Sequence, residues 1–478
     1  MKKSLFNLLI FCSITVKAQI GPIPEIEKSL TNYCQNDNYS GVVLISKDKK
    51  ILLEKAFGYA HLGFKVPNNL ETKFNTASMG KMYTAIAIMQ LREKAKLRLA
   101  DKVGEILPDY PNESVRDSIT IEQLLTHTSG LKDFFNEKFE FKAKHTVRSL
   151  QDYFDFFKDE PLKFTPGSKF SYSNAGYIIL GMIIEKLSGQ NYYDYVKEHI
   201  YLPAGMENTD CYENDAAIEN LAEGYRYLDG DNVWKTSNYS KGAKGSSAGG
   251  CYTTAHDLLK FVTALQNNTL ISANSLALMI SDERKNGYVE GFEHGYGYGF
   301  SLNKFNKEDV YGHNGGAPGV SAELDIYKNS DYVVITLSNR GSLDGWVQVR
   351  SIIREAIAGP TKETDKYLGT MNLIEIYKDK GYKSALKFMK SMDGNVEGRL
   401  LNSLANKYRT AKEYDHSIDV LKLIMVNNPE SWHTLGTLAD VYLSVGLKSE
   451  AIKKLNEILE LNPENDWAKE RLAEIIEN

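Results

Sequence analysis

The hydrophobic positions of the chain fall into three regimes. Toward both ends of the first 360 residues they form short apolar runs: GVVLIS from Gly41, KILLEKAFGYA from Lys50, GYGYGFSL from Gly295, AELDIY from Ala322 and DYVVITLSN from Asp331. Each has strand length and is bounded by turn residues. Between them the spacing becomes helical in short segments set in long Gly-, Ser- and Asn-rich loops. This distribution predicts one sheet assembled from the two ends of the segment, with a mostly helical region inserted between. From AGPTKETDK at Ala358 onward the pattern is helical to the end.

The tail repeats itself. Asn428-Pro429 and Asn462-Pro463 stand 34 residues apart, closing HSIDVLKLIMVNNPE and EAIKKLNEILELNPE. Each segment follows a partner, LLNSLANKYRTAKEYD or TLGTLADVYLSVGLKS, with Ala405 and Ala439 at matching positions. Period and helix-turn-helix unit resemble tetratricopeptide repeats, with a degenerate third unit from about Met371 to Met392. The alternative is a plain helical cap on the preceding domain. In either case the tail carries no chemistry.

The first residues, MKKSLFNLLIFCSITVKAQI, place two lysines before an apolar run and then Val-Lys-Ala. That layout predicts a signal peptide over 1–18, and with it a periplasmic or secreted protein. The run is short for a membrane anchor, and bulky Phe11 before Cys12 argues against lipid attachment. The expected organisation is therefore a domain over 19–358, a linker over 359–367 and helical repeats over 368–478. With 42% hydrophobic and 25% charged residues among 478, the chain is ordinary globular material. A net charge of -5 gives no hint of nucleic acid, and no membrane span is expected in the mature chain. Cys34, Cys211 and Cys251 allow one disulfide at most, with the pairing open, and no cysteine or histidine cluster suggests a metal site.

Candidate chemistry begins at FNTASMGKMYTAIAIMQ, Phe74 to Gln90. Ser-x-x-Lys occurs five times, at Ser46, Ser78, Ser129, Ser301 and Ser384, but only Ser78 opens a long helix. Three helical residues return to nearly the same face, so Lys81 can reach the Ser78 oxygen, while the helix N-terminus favours a developing oxyanion. A lysine serves as base only when its proton affinity is lowered, and burial does this. Tyr-x-Asn occurs four times, at Tyr110, Tyr172, Tyr212 and Tyr327. Tyr172-Ser173-Asn174 alone lies between a Pro-Gly turn and a strongly apolar helix, so its phenol can share protons with Lys81 and its amide can orient the lysine and bind a substrate carbonyl. In YGHNGGAPGVSAELDIY, His313-Asn314-Gly315-Gly316 ends a strand run, and its glycines let backbone approach a ligand. The Gly316 N–H is then a candidate oxyanion donor beside that of Ser78.

Together and in this order these elements resemble the serine β-lactamase and penicillin-binding-protein superfamily, in particular its class C-like branch of esterases and D-amino-acid peptidases. LLTHTSGL (Leu124 to Leu131), FSYSNAGYIILGMIIEKLSG (Phe170 to Gly189) and SSAGGCYTTAHDLLKF (Ser246 to Phe261) look like that branch too. The resemblance covers roughly residues 30 to 357. It implies an α/β (α+β) β-lactamase-like fold: an antiparallel sheet covered by helices beside a helical subdomain, with the site in the cleft. It implies Ser78 as acylated nucleophile, Lys81 and Tyr172 as proton-transfer groups, and Asn174, His313, Gly315 and Gly316 as substrate-binding residues. No cofactor is implied.

One departure concerns His313, where β-lactamases and peptidoglycan carboxypeptidases usually carry a lysine that binds the substrate carboxylate. A mostly neutral histidine forfeits a charge-assisted hydrogen bond of about 1.5 to 3 kcal/mol. This favours esters, D-amino-acid amides or peptides over lactams, unless Arg340 points into the cleft. The alternatives are a β-lactam-binding sensor, a D-alanyl-D-alanine carboxypeptidase, or a non-catalytic protein whose repeat tail binds a partner. The aromatic-rich insertion Lys132 to Phe156 is a candidate lid. Emptying its rings is expected to alter substrate preference more than stability.

Overall fold

The computed structural model of the protein describes residues 22–34, 39–228, 233–281, 294–341, 343–360, 362–392 and 396–477. The signal-like segment 1–18 lies outside the described residues. Helix α1 (Ile23–Cys34) leads to strands β1 (Gly41–Lys47) and β2 (Lys50–Phe57). Their two-residue turn uses Asp48 and Lys49, both at positive φ, the geometry that matches the twist of a hairpin. The other five strands of the main sheet come from the far end of the segment: β3 (His294–Tyr296), β4 (Ser301–Phe305), β5 (Glu308–Ala317), β6 (Val320–Tyr327) and β7 (Tyr332–Ser338).

The seven strands form one sheet in the order β2-β1-β7-β6-β5-β4-β3, every pair antiparallel. Pairing of β1 with β7 closes the two ends of the segment onto each other, as the pattern of apolar runs requires. Alternate residues serve opposite faces. Val42, Leu44, Leu324, Ile335 and Leu337 enter the larger core, whereas Val43, Ile45, Val310 and Val334 pack with Ile26 and Leu30 of α1 and with Val349 and Ile353 of the later helix Leu343–Ala358. With both faces covered, these strands read as continuous apolar runs and not as alternation.

Two of the expected strands break. GYGYGFSL folds back between β3 and β4, because Gly299 (φ +73°) turns the chain against Lys81 and Ala85; a Cβ there would lie 2.5 Å from that of Ala85. KILLEKAFGYA ends β2 at Phe57, since Gly58 (φ +67°) lies where a Cβ would collide with Ser40. In both cases close packing set the break, which periodicity cannot register.

The inserted region is built around a helix at Lys81–Glu93 (α2), buried on every side from Lys81 to Leu91. Beside it runs Asn174–Ser188 (α3), capped by Ser173 and closed by left-handed Gly189. Cys211 and Cys251 form a disulfide, and Cys34 is a buried free thiol. The insertion at Lys132 to Phe156 is not a lid. Phe134, Phe139, Tyr153, Phe154 and Phe156 are buried in the main core, and only Phe135 and Phe141 project. Their rings meet edge-on at 5–6 Å and supply the apolar interior that the helical region's short helices cannot provide alone.

The tail is entirely helical in its described residues: Lys362–Ser391, bent at Gly381, then Gly398–Thr410, Tyr414–Asn427, Trp432–Ser444, Lys448–Leu461 and Asp466–Glu477. Ala405 and Ala439 are fully buried in its separate core, where their small size lets neighbouring helices approach. The span 359–367 holds Gly359, Pro360 and the beginning of the first tail helix.

Candidate active site

Ser78 lies in a 3-10 turn, Ala77–Gly80, that runs directly into α2 at Lys81. With three residues per turn, side chains i and i+3 stand in line, so this short turn aims Lys81 at Ser78 more directly than an α-helix would. The turn is held under tension. Ala77 has φ +43°, a costly conformation for a residue with a Cβ. Its N–H donates to Asn75 Oδ1 (2.9 Å) and its carbonyl accepts from Gly250 N–H (3.0 Å). Gly249 permits this approach: a Cβ there would stand 1.9 Å from the Ala77 oxygen. Thr76 is tied to the Cys251 carbonyl through both its N–H and its hydroxyl, each at 2.9 Å.

The Lys81 side chain is fully buried. Its Nζ reaches Ser78 Oγ at 3.1 Å, Asn174 Oδ1 at 2.7 Å and the Ala248 carbonyl at 2.6 Å. The amide and carbonyl oxygens can only accept, so they take two N–H bonds and leave the third position of nitrogen facing Ser78. Burial pushes the ammonium down to about 7, opposed by the negative charge of Asp133. Near neutral pH the amine can therefore be unprotonated, with its lone pair on the serine hydroxyl.

Tyr172 lies immediately before α3, its ring 4.9 Å from Lys81 Nζ. Packing around its hydroxyl raises the phenol above its ordinary range, while a hydrogen bond to Ser78 opposes this, so it stays protonated. The ring itself keeps 37% exposure at the cleft. Asn174 is the first residue of α3, and both its N–H and its amide Nδ2 donate to Asp133 Oδ2 at 2.9 Å. Ser78, Lys81, Tyr172 and Asn174 thus converge on one point.

The third sequence element lies alongside. Gly315 is pressed on the nucleophile turn, since a Cβ there would stand 2.0 Å from the Thr76 oxygen, and Gly316 faces open space. His313 is 3% exposed, its Nδ1 2.5 Å from the Asn314 carbonyl and its Nε2 2.9 Å from the Tyr296 hydroxyl. This network assigns the proton to Nδ1, and burial next to Lys81 pushes the imidazole down to about 3. It is a neutral group. Nor does Arg340 offer its charge to the cleft: it is 4% exposed, with its guanidinium over the Trp234 ring at 4.6 Å.

Three participants escaped the sequence reading. His127, inside LLTHTSGL, stacks on Tyr172 at 4.1 Å and lies 4.6 Å from Tyr296, with Nδ1 accepting the Ser173 N–H. Its positive φ (57°) was the one physical mark, and that is invisible in sequence. Asp133 lies two residues beyond the end of that motif at Leu131 and gave no signal of its own. Ala248 contributes only a carbonyl, which no residue type can announce.

A family model described as Beta-lactamase matches residues 27–356, a span that holds this whole constellation. The chain belongs to the beta-lactamase family. Among curated relatives, penicillin-binding protein 4* of Bacillus subtilis is 35% identical over 321 residues, covering 64% of this chain and 69% of that one. The teichoic acid D-alanine hydrolase of Staphylococcus aureus is 24% identical over 312 residues, covering 65% and 73%. The crystal structure of a penicillin-binding protein from Bacillus halodurans superposes with TM-score 0.62 at 31% identity, over 68% of this chain and 98% of that chain. The beta-lactamase fold and a serine hydrolase domain of the penicillin-binding-protein superfamily follow. The tail lies beyond the matched span.

Proposed function

We propose that this chain is an exported serine hydrolase that works through an acyl-enzyme on Ser78. The observation that carries the reading is the buried Lys81 amine, 3.1 Å from Ser78 Oγ and held by two acceptor-only oxygens. Lys81 takes the Ser78 proton as Oγ attacks an ester or amide carbonyl. The N–H groups of Ser78 and Gly316 receive the oxyanion, and the protonated phenol of Tyr172 passes a proton to the leaving group. Lys81 passes its proton to the Tyr172 phenolate and is an amine again; water then attacks the acyl carbon and gives a proton to Lys81, which hands it to Ser78 Oγ as the acyl bond breaks.

A neutral His313 favours acyl donors that lack a carboxylate at that position: esters, D-amino-acid amides or D-amino-acid peptides. The relative named for teichoic acid D-alanine hydrolysis makes D-alanyl esters the first class to assay. Relatives named as penicillin-binding proteins support a second reading, acylation by β-lactams in a sensor or carboxypeptidase. Among the described residues no helix is long and apolar enough to cross a membrane. The signal-like segment supports a periplasmic or secreted location, and the tail is read as tetratricopeptide-like repeats that hold a protein partner.

The test is intact-mass spectrometry with a D-alanyl ester, a D-amino-acid amide and a penicillin, with Ser78→Ala alongside. Turnover of the ester or amide, absent in the variant, supports the hydrolase. A persistent penicillin adduct without turnover of any acyl donor favours the sensor. Neither adduct nor turnover would sink the acyl-enzyme mechanism.

A further inference from the structure

We propose that Asp133 is a positioning residue of this site: it fixes the Asn174 amide with Oδ1 toward Lys81 and holds one negative charge beside the Ser78, Lys81 and Tyr172 group. The inference rests on the hydrolase reading above and deepens it. An asparagine amide is nearly symmetric in shape, so its orientation is set by its partners. Turned the other way, Asn174 would present N–H groups to the N–H groups of Lys81. Asp133 forbids this, because a carboxylate has no donor. Its Oδ2 accepts Asn174 Nδ2 and Asn174 N–H, both at 2.9 Å. Its Oδ1 accepts the Phe135 N–H at 3.2 Å, which pins the carboxylate to its own loop. The amide is therefore locked from behind, and Lys81 meets an acceptor whatever its own protonation state.

The second consequence is electrostatic. Lys81 touches a hydroxyl, an amide oxygen and a carbonyl, but no carboxylate directly. The other groups that face it are the rings of Tyr172 and Tyr177 and the imidazoles of His127 and His313. Burial keeps both imidazoles uncharged near neutral pH, and both phenols are raised above their ordinary range. Asp133 is thus the charge that counters the burial of Lys81. It holds the amine's proton affinity near neutrality and keeps it from falling further.

Asp133→Asn separates the two roles. It retains an acceptor for Asn174, at the expense of the Phe135 bond, but removes the charge. Asp133→Ala removes both. With the charge gone, Lys81 loses its proton more readily, so the acidic limb of kcat/KM for a small ester should move down by about one pH unit in both variants. The plateau should fall less than tenfold in Asp133→Asn and about ten- to a hundredfold in Asp133→Ala, where the amide is free to turn. On the plateau Asp133→Ala should add nothing to Asn174→Ala, while the shift of the acidic limb persists in the double variant. NMR titration of 13Cε-labelled lysines in the unliganded protein reads the Lys81 shift without any substrate. A lowered melting temperature with an unmoved limb and an unmoved Lys81 titration would reduce Asp133 to a cap on α3 and overturn the proposal. If the wild type turns over no acyl donor, the hydrolase reading falls, and the lysine titration still decides for or against Asp133.

Discussion

Two buried cations lie on opposite sides of the same sheet, and they are handled in opposite ways. Arg354, on the helix Leu343–Ala358, meets Asp325 at 2.9 Å and Glu323 at 2.5 Å, with all three side chains less than 9% exposed. Lys81, on the other side, is as deeply buried but finds only neutral oxygens within hydrogen-bond reach. The paired cation keeps its charge and ties a helix to β6. Lys81 has its counter-charge, Asp133, only behind the Asn174 amide, so it gives up its proton easily, and that readiness is what a base requires. Burial alone says little about function, whereas burial without a carboxylate in direct contact says a great deal.

The largest expected effect separates the two in function. Ser78→Ala and Lys81→Met should each lower hydrolysis at least about ten-thousandfold, while leaving the melting temperature far closer to wild type than Arg354→Leu does. Arg354→Leu removes the guanidinium that Asp325 and Glu323 share, leaving Glu323 with Arg350 at 3.7 Å, and should cost about 3 to 5 kcal/mol in urea denaturation, with little change in rate per folded molecule. If the Arg354 variant lost activity while fully folded, or Lys81→Met unfolded, the contrast between a structural and a chemical cation would be broken.

A similar contrast divides two neighbouring rings in the aromatic insertion. Phe134 is 3% exposed and Phe135 62%. Phe134→Ala should cost about 3 to 5 kcal/mol in stability. Phe135→Ala should cost under about 0.5 kcal/mol, with no change in the relative rates for bulky and small acyl donors. Equal stability losses would mean that Phe135 belongs to the core as well.

The smallest effect is also the sharpest in form. In the proposed mechanism Lys81 acts as base only when neutral, and burial places its titration at about 7. The rate should therefore rise about tenfold per pH unit below that point and level off above it. His313, pushed down to about 3, contributes no limb in this range. A limb near 10 instead would show that Lys81 keeps its proton and that another group serves as base.

Much of this was legible in the chain. Apolar runs at both ends of one segment required a sheet closed by its first and last strands, and β1 pairs with β7. The apolar run after Asn174 is the helix α3, as its hydrophobicity indicated. Ser78, Lys81, Tyr172 and Asn174 could be singled out because chemistry at a helix start needs specific side chains at specific spacings.

The rest depended on neighbours distant in sequence. Whether an aromatic ring is surface or core depends on what covers it, and Phe134 and Phe135 are the same residue type side by side. The orientation of Asn174 depends on Asp133, 41 residues away, the proton affinity of Lys81 depends on its burial and on that carboxylate, and its nitrogen is held by the carbonyl of Ala248, 167 residues away. The sequence by itself determined which groups were present and which elements would carry them, since period and spacing are local properties. Only the tertiary structure decided which charges lack partners and which protons can move, because burial and electrostatics are sums over neighbours that the fold alone brings together.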